Sequence, residues 1–332
     1  MLGAIGDTLL ACAIFQDLRR AFPSVRMLAF VSHANRGTVD LLSGPDEVIV
    51  VSATRLVPTL RTLRRHRVDV FIDIGQWARI SSLLTGLSGA RFTIGFKTPG
   101  QYRHYTFDAT VEHSNRRHEI DNFRALLAPL GIAALGVPSL RTDVLSELPM
   151  QETRRTIVFH PWAAGYQSHL REWPEERWAA VGSVLLARGY DIAITGGPAD
   201  QARAELLASA IGEAGVRVMA GKASLRETAI MLSGAAGVLS VNTGIMHLAA
   251  VVNAPLISLH GPTNPVRWGP LSDNSVVLGP GPEEGGAFLN LGFEYPPSPS
   301  DCMGKITVDA VLGAFEKLHI LPVSVGDDSD SR

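Results

Sequence analysis

The sequence predicts an α/β protein made of two Rossmann-like, doubly wound parallel-sheet domains, on three observations. Short, continuous apolar runs rich in β-branched residues alternate with helix-period stretches along nearly the whole chain, the pattern of strands covered on both faces. The pattern lapses and restarts once, across residues 131–149, where periodicity is lost and prolines appear. The 332 residues suffice for two domains, each with its own core.

In the first half, strands are expected at 26–32, 48–51, 69–75 and 91–96, with helices at 8–21, 35–42, 54–65 and 77–87. In the second half, strands are expected at 156–161, 191–197, 217–221, 237–242, 255–261 and 275–279. Helices fall between them at 175–188, 199–213, 225–235 and 243–252. Residues 1–150 and 151–306 are therefore read as the two domains, with ligands expected at the strand C-termini. A Pro/Gly-rich stretch follows residue 279, then an amphipathic helix within 307–320 and an acidic, serine-rich tail, 321–332, expected to be disordered. One strand is missing from the pattern. A Gly-rich turn that opens a helix in this architecture follows a strand, yet Gly3-Ala4-Ile5-Gly6 comes almost at once after Met1. Either the chain begins downstream of its true start, the preferred reading, or the first sheet lacks its middle strand.

Composition excludes several function classes. A net charge of −2 offers no global basic field for nucleic acid. Two cysteines, Cys12 and Cys302, make neither a disulfide framework nor a four-ligand zinc site and fit a reducing compartment. No apolar run approaches the ~18 residues that span a bilayer, and the N-terminus lacks a basic leader region, so a cytoplasmic protein is expected. Arg61, Arg64, Arg65 and Arg67 form a small basic strip, either a solvated face or a contact with the inner face of a membrane. A monomer is expected.

Four segments carry candidate chemistry. Asp7, after the Gly3–Gly6 turn, either caps the following helix or takes a proton from a substrate hydroxyl, and the roles can coexist. Asn242-Thr243-Gly244-Ile245-Met246-His247 joins a strand to a helix, where Gly244 lets a ligand approach and first-turn amides favour an anion. His247 shares a helical face with Thr243 and is either a ligand contact or a core histidine. The loop with Thr263 (Gly261–Pro265) ends the next strand and should lie beside this site, unless it is a simple turn. His160–Gly165 runs on to Arg171-Glu172-Trp173-Pro174; Arg171 either offers a planar fork to phosphate or snorkels on the surface. In Gly196-Gly197-Pro198-Ala199-Asp200 the carboxylate of Asp200 either caps a helix or accepts from a ribose hydroxyl. Ser224-x-x-Glu227 is a capping box.

Other readings fail. No GxGxxG with a downstream acid, no GxxxxGK[ST] and no GxSxG is present. His113, His118 and Glu119 form a loose cluster, read as loop, without metal spacing, so neither metal nor cofactor is expected.

Taken in order, GAIGDTLLACAIFQDLRRAFP, HPWAAGYQSHLREWPEERW, ITGGPAD, GKASLRETAIMLSGA, SVNTGIMHLAA, LHGPTNPVRWGP and DCMGKITVDAV resemble glycosyltransferase family 9, the ADP-heptose:lipopolysaccharide heptosyltransferases. The resemblance implies a GT-B fold with the first domain for the acceptor, the second for a nucleotide-diphosphate sugar, and the last helix crossing back to brace the first. It implies an inverting, metal-independent transfer from a nucleotide-diphosphate donor, ADP-heptose favoured, to a glycan or lipid-linked acceptor. Asp7 then matches the general base, and Gly6 beside it is read as a substrate- or donor-binding position. Arg171 stands where the family usually has Lys, on donor phosphate. Asp200 matches an acidic position near the nucleoside. Thr243, Gly244 and His247 match the diphosphate-binding segment, with Asn242 where the family usually has Asp; Thr263 joins the donor-binding group. The alternatives are a non-catalytic nucleotide-sugar-binding relic of the fold and a nucleotide-sugar epimerase.

Overall fold

A computed structural model describes residues 4–147, 155–289 and 295–322. The chain divides into two compact units at Ser146/Glu147, inside the stretch where the sequence loses its periodicity.

The first unit opens with α1 (Ile5–Ala11) and α2 (Ala13–Ala21), then continues β1 (Leu28–Val31), α3 (His33–Leu41), β2 (Glu47–Val50), α4 (Leu56–His66), β3 (Val70–Asp73), α5 (Arg79–Gly86), β4 (Phe92–Lys97), β5 (Ala109–Glu112), α6 (Glu119–Ala125) and α7 (Thr142–Leu145). All strand pairs are parallel, as expected, but they form two separate sheets: β1 with β2, and β3-β4-β5. Helices cover both faces, each over its own apolar cluster. Leu10, Ile14, Ile94, Phe96 and Phe123 pack on one side. Phe30, Val51, Leu63 and Leu84 pack on the other. The sheet is thus interrupted between β1 and β3.

Two elements here differ from the sequence expectation. β5 is half-exposed along its length at the end of its sheet, so its alternation is too weak to read. Of the cluster of His113, His118 and Glu119, the two histidines lie in the loop after β5, as expected, whereas Glu119 starts α6. The imidazole of His113 sits 3.0 Å from the Glu119 carboxylate, both buried, and the Asn122 amide donates to Glu119 at 3.1 Å. This is a joint that fastens β5 to α6. Among the described residues no group of three His, Cys, Asp or Glu could hold a metal ion.

The second unit comprises β6 (Thr156–His160), α8 (Glu175–Ala187), β7 (Asp191–Ile194), α9 (Gln201–Ile211), β8 (Val216–Val218), α10 (Leu225–Ser233), β9 (Gly237–Val241), α11 (Gly244–Val251), β10 (Leu256–Leu259), α12 (Pro265–Trp268), β11 (Ser275–Leu278) and α13 (Val308–Lys317). Its six strands are all parallel, in the order β11-β10-β9-β6-β7-β8. The central strands β9 and β10 are buried at every position, which is why they read as short, mostly apolar runs with one small polar residue each, Ser240 and Ser258. The capping box is present: the Glu227 amide donates to the Ser224 hydroxyl at 3.2 Å and the Ser224 amide to the Glu227 carboxylate at 2.7 Å.

The last helix buries its apolar face in this second unit, where the expectation was that it braces the first. Val311, Ala314 and Phe315 belong to the cluster built by Ile157, Phe159, Trp178 and Ile257. The approach to the helix is fastened by Trp173, whose indole N–H donates to the Ile306 carbonyl at 2.9 Å, and by Arg177, which donates to Gly304 at 2.6 Å. No helix among the described residues is long and apolar enough to cross a membrane.

Candidate active site

The topology of the second unit determines where a ligand binds. The chain lays down β6, moves outward through β7 and β8, then returns to place β9 on the other side of β6. Strand order reverses between β6 and β9, and the crevice outside their C-terminal ends is the binding position in an open parallel sheet. The loops leaving β7, β6, β9 and β10 therefore lie side by side along one sheet edge. They carry Asp200, Arg171, Asn242–Gly244 and Thr263 respectively. The structure brings together every candidate of the second unit. Gly6 and Asp7 are neighbours in α1 of the first.

After β9, Thr243 is the N-cap of α11 with extended backbone, and its side chain makes no capping bond. Its hydroxyl is buried with no hydrogen-bond partner among the described residues. The amides of Gly244, Ile245 and Met246 come before that of His247, the first with an intrahelical acceptor, so they point out of the helix at its positive end. His247 lies buried one turn in, and its amide donates to the Thr243 carbonyl at 3.4 Å.

Asn242, where the family pattern has Asp, is a donor here: its side-chain amide reaches the Trp268 carbonyl at 3.0 Å. A carboxylate cannot make that bond. Asn242 thereby ties the end of β9 to α12 in the next loop. That loop is more than a turn. Asn264 caps α12 by accepting from Val266 at 3.0 Å, and the buried Arg267 lies over the Trp268 ring, 4.3 Å from its centroid. Thr263 is also buried, its hydroxyl 3.2 Å from Nδ1 of His260.

After β6, Arg171 does not snorkel. It folds back and donates through Nη2 to the Ala164 carbonyl, across the loop that leaves the strand. Its Nε is buried without a hydrogen-bond partner, and it has no ion pair among the described residues. Burial works against its charge, partly offset by Tyr295 and Glu172. An unpaired, half-buried guanidinium at a switch point is a site for an anion. Tyr295 closes over the same loop: its hydroxyl donates to the Tyr166 carbonyl at 3.2 Å and the two rings meet edge-on at 5.5 Å. Trp162 supports the loop from below, under the guanidinium of Arg203, which pairs with Glu172 and Glu175 at 2.9 and 2.8 Å.

Asp200 serves the turn in which it sits. Its carboxylate accepts from the Gly197 amide at 2.7 Å and makes no cap bond to α9. In the first unit, helix α1 begins earlier than its residues suggest: Ala4 is the N-cap, so Gly6 and Asp7 are inside the first turn. Asp7 is not a cap, which corrects that reading. Its carboxylate stands at the positive end of α1, half-buried.

Sequence reasoning missed Tyr166, Tyr295, Arg267 and His260. Tyr166 adjoins the quoted loop and was findable by its position. The others become visible only through contacts. His160 and His260, at the ends of β6 and β10, are buried, and burial pushes both down to about 4, against the weaker effect of the hydrogen bonds with Thr195 and Thr263. Both are neutral at pH 7. In the unfolded chain they titrate near the ordinary 6.5, so between pH 6.5 and 4 the unfolded state binds more protons and stability falls with pH. Each histidine contributes roughly 3 kcal/mol that is complete above pH ~6.5 and lost as pH drops through ~4. Urea unfolding from pH 7 to 4.5 should show this loss, and His260→Asn should flatten the slope by up to one proton.

These features define an α/β protein with a guanidinium and a helix start on adjacent loops at the switch point of a parallel sheet. Residues 57–286 match glycosyltransferase family 9 (heptosyltransferase), and the chain belongs to that family of glycosyltransferases. Lipopolysaccharide heptosyltransferase 1 of Escherichia coli is 29% identical over 65% of this chain and 67% of its own. Lipooligosaccharide heptosyltransferase 2 of Haemophilus influenzae is 33% identical over 32% of either chain. An Escherichia coli heptosyltransferase solved with ADP-2-deoxy-2-fluoro heptose superposes with a TM-score of 0.72 at 23% identity, covering 95% of this chain and 97% of that one. The fold is that of the GT-B glycosyltransferases.

Proposed function

We propose that the chain transfers a heptosyl group from ADP-heptose to a glycan or lipid-linked acceptor, with inversion and without a metal. The observation that carries this reading is the placement, on adjacent loops at the β6/β9 switch point, of an unpaired guanidinium and the amide-bearing start of α11. The acceptor hydroxyl attacks the anomeric carbon from the side opposite the donor oxygen. Its proton passes to the Asp7 carboxylate as the bond to the β-phosphate oxygen breaks, and ADP leaves with the electron pair. The charge that develops on ADP falls to Arg171 and to the amides of Gly244–Met246, which are oriented before the reaction and need no rearrangement. Thr243 and His247 complete the diphosphate contacts. Asp200 and Thr263 lie on the flanking loops, and Gly6 leaves the first turn of α1 open beside Asp7. Asn242 ties the end of β9 to the loop after β10 through Trp268.

Calorimetry with ADP-, UDP- and GDP-sugars should favour the ADP donor. EDTA should leave transfer unchanged, and NMR of the product should show the inverted anomer. Arg171→Ala should weaken ADP binding about 10- to 100-fold, the loss of a charge-assisted contact. Preference for another base, a retained anomer or EDTA inhibition would contradict the corresponding part of the reading. The interrupted sheet of the first unit favours a second reading, a donor-binding protein without transferase activity. Donor binding with no transfer to any acceptor would select it.

A further inference from the structure

The loop that presents Arg171 is held in a costly backbone conformation. Gly165 has φ 98° and Gln167 φ 47°, so Tyr166 stands between two residues with positive φ. Glycine adopts such angles freely; for glutamine the left-handed region persists only where surrounding contacts enforce it. Gln167 also begins the short 3₁₀ turn Ser168–Arg171, in which the Leu170 amide donates to the Gln167 carbonyl at 3.1 Å. The direction of that turn, and with it the place of the guanidinium, follows from the angles at Gln167. The bond from Arg171 to the Ala164 carbonyl joins the two ends of the loop and leaves its apex, Tyr166 and Gln167, to be fixed from outside.

Tyr295 supplies that contact. Its hydroxyl donates at 3.2 Å to the Tyr166 carbonyl, the oxygen of the Tyr166–Gln167 peptide. Because the peptide is planar, holding its oxygen resists rotation on both sides, at ψ of Tyr166 and φ of Gln167. The Tyr166 hydroxyl accepts from the Gln167 side-chain amide at 3.1 Å, and the Tyr166 ring meets that of Tyr295 edge-on. Burial raises the Tyr295 pKa above its ordinary value, against the pull of Arg171, so the hydroxyl keeps its proton and can donate across the neutral range.

Tyr295 belongs to a segment that is itself anchored elsewhere. Before it in the chain, the Ala287 and Leu289 amides donate to the Gly261 and Pro262 carbonyls at 2.9 and 2.7 Å, on the loop that carries Thr263. After it, Pro296, Pro297 and Pro299 restrict the backbone. The Ser300 hydroxyl and the Cys302 thiol then both donate to the Gly285 carbonyl at 2.9 Å. The phenol thus links the loop after β10 to the apex of the loop after β6.

We propose that Tyr295 is a positioning residue of the transferase: by holding the Tyr166–Gln167 peptide it fixes the turn that presents the Arg171 guanidinium to the donor's diphosphate. It acts through Arg171 and makes no contact of its own with the donor. The inference rests on the reading of Arg171 as a diphosphate contact and adds the residue that keeps it in place.

Calorimetry of ADP with the full chain tests this as a double-mutant cycle. Tyr295→Phe keeps the ring and removes the hydrogen bond, and it should weaken ADP binding about three- to tenfold, the worth of one such bond. In the Arg171→Ala background the same change should alter ADP affinity by less than about twofold, because the group it positions is gone. In steady-state kinetics the donor KM should rise with the ADP dissociation constant while the acceptor KM stays at the parent's value. Equal losses of ADP affinity in both backgrounds would overturn the proposal, since Tyr295 would then act on the site without Arg171. Unchanged affinity in Tyr295→Phe, with the loss in Arg171→Ala intact, would overturn it and leave the donor contact of Arg171 standing. No loss in Arg171→Ala would remove that contact, and the role of Tyr295 with it.

Discussion

The Asp7→Asn chain is expected to bind ADP-heptose with the affinity of the parent and to transfer about 10²- to 10⁴-fold more slowly, the usual contribution of a general base. The substitution keeps the volume and one acceptor of the side chain while removing its ability to take a proton. It lies three residues into α1, where the anionic form is favoured by the helix start, so the stability cost is about 0.3–1 kcal/mol. That is too small to mimic an effect of two or more decades in rate. The donor contacts proposed for Arg171 and the α11 amides are in the other unit, which is why the dissociation constant should not move. Steady-state kinetics should show the loss in kcat with little change in the donor KM. Turnover equal to the parent's would remove Asp7 from the mechanism, and a matching loss of donor affinity would make it a binding residue.

What could be read in advance followed the depth of burial. Strands β9 and β10 lie between two covered faces, so residues such as Val238, Leu239, Leu256 and Ile257 formed mostly apolar runs, broken only by the buried Ser240 and Ser258. β5, half-exposed at a sheet end, gave no such signal. Helix α6 was readable and overlooked: Ile120, Phe123 and Leu127 recur at helical spacing, and all are buried. Asp7 shows the limit of local patterns, because a carboxylate after glycines looks like a cap until the helix is seen to start at Ile5. The site was legible as motifs along one sheet edge. Its working details were not, since the fold-back of Arg171 onto Ala164 and the bond from Asn242 to Trp268 join residues that only the tertiary structure makes neighbours.

Arg103→Ala should have the largest effect on stability of any single change in the first unit. Arg103 is buried completely and its guanidinium pairs with the buried carboxylate of Asp73 at the end of β3. The same carboxylate accepts from the Ser81 hydroxyl at 3.0 Å and from the Gly75 amide at 2.8 Å. Burial disfavours the Arg103 charge, and Asp73 counters that effect. Truncating the arginine leaves an anion in an apolar surrounding with two neutral donors and no counter-charge, and opens a cavity where the side chain lay. Breaking a buried pair in this way costs about 3–5 kcal/mol, a large share of the ~5–15 kcal/mol that holds a domain folded. Urea unfolding should register the loss as a lower midpoint. The double change Arg103→Met with Asp73→Asn distinguishes the charge from the packing. It removes both charges, keeps much of the volume and leaves the carbonyl of the new side-chain amide to accept from Ser81 or Gly75. If the stranded anion is the cause, the double variant should recover at least half of the loss. If it is no more stable than Arg103→Ala, the cost lies in the guanidinium's own packing against its neighbours, among them the Phe107 ring at 5.8 Å.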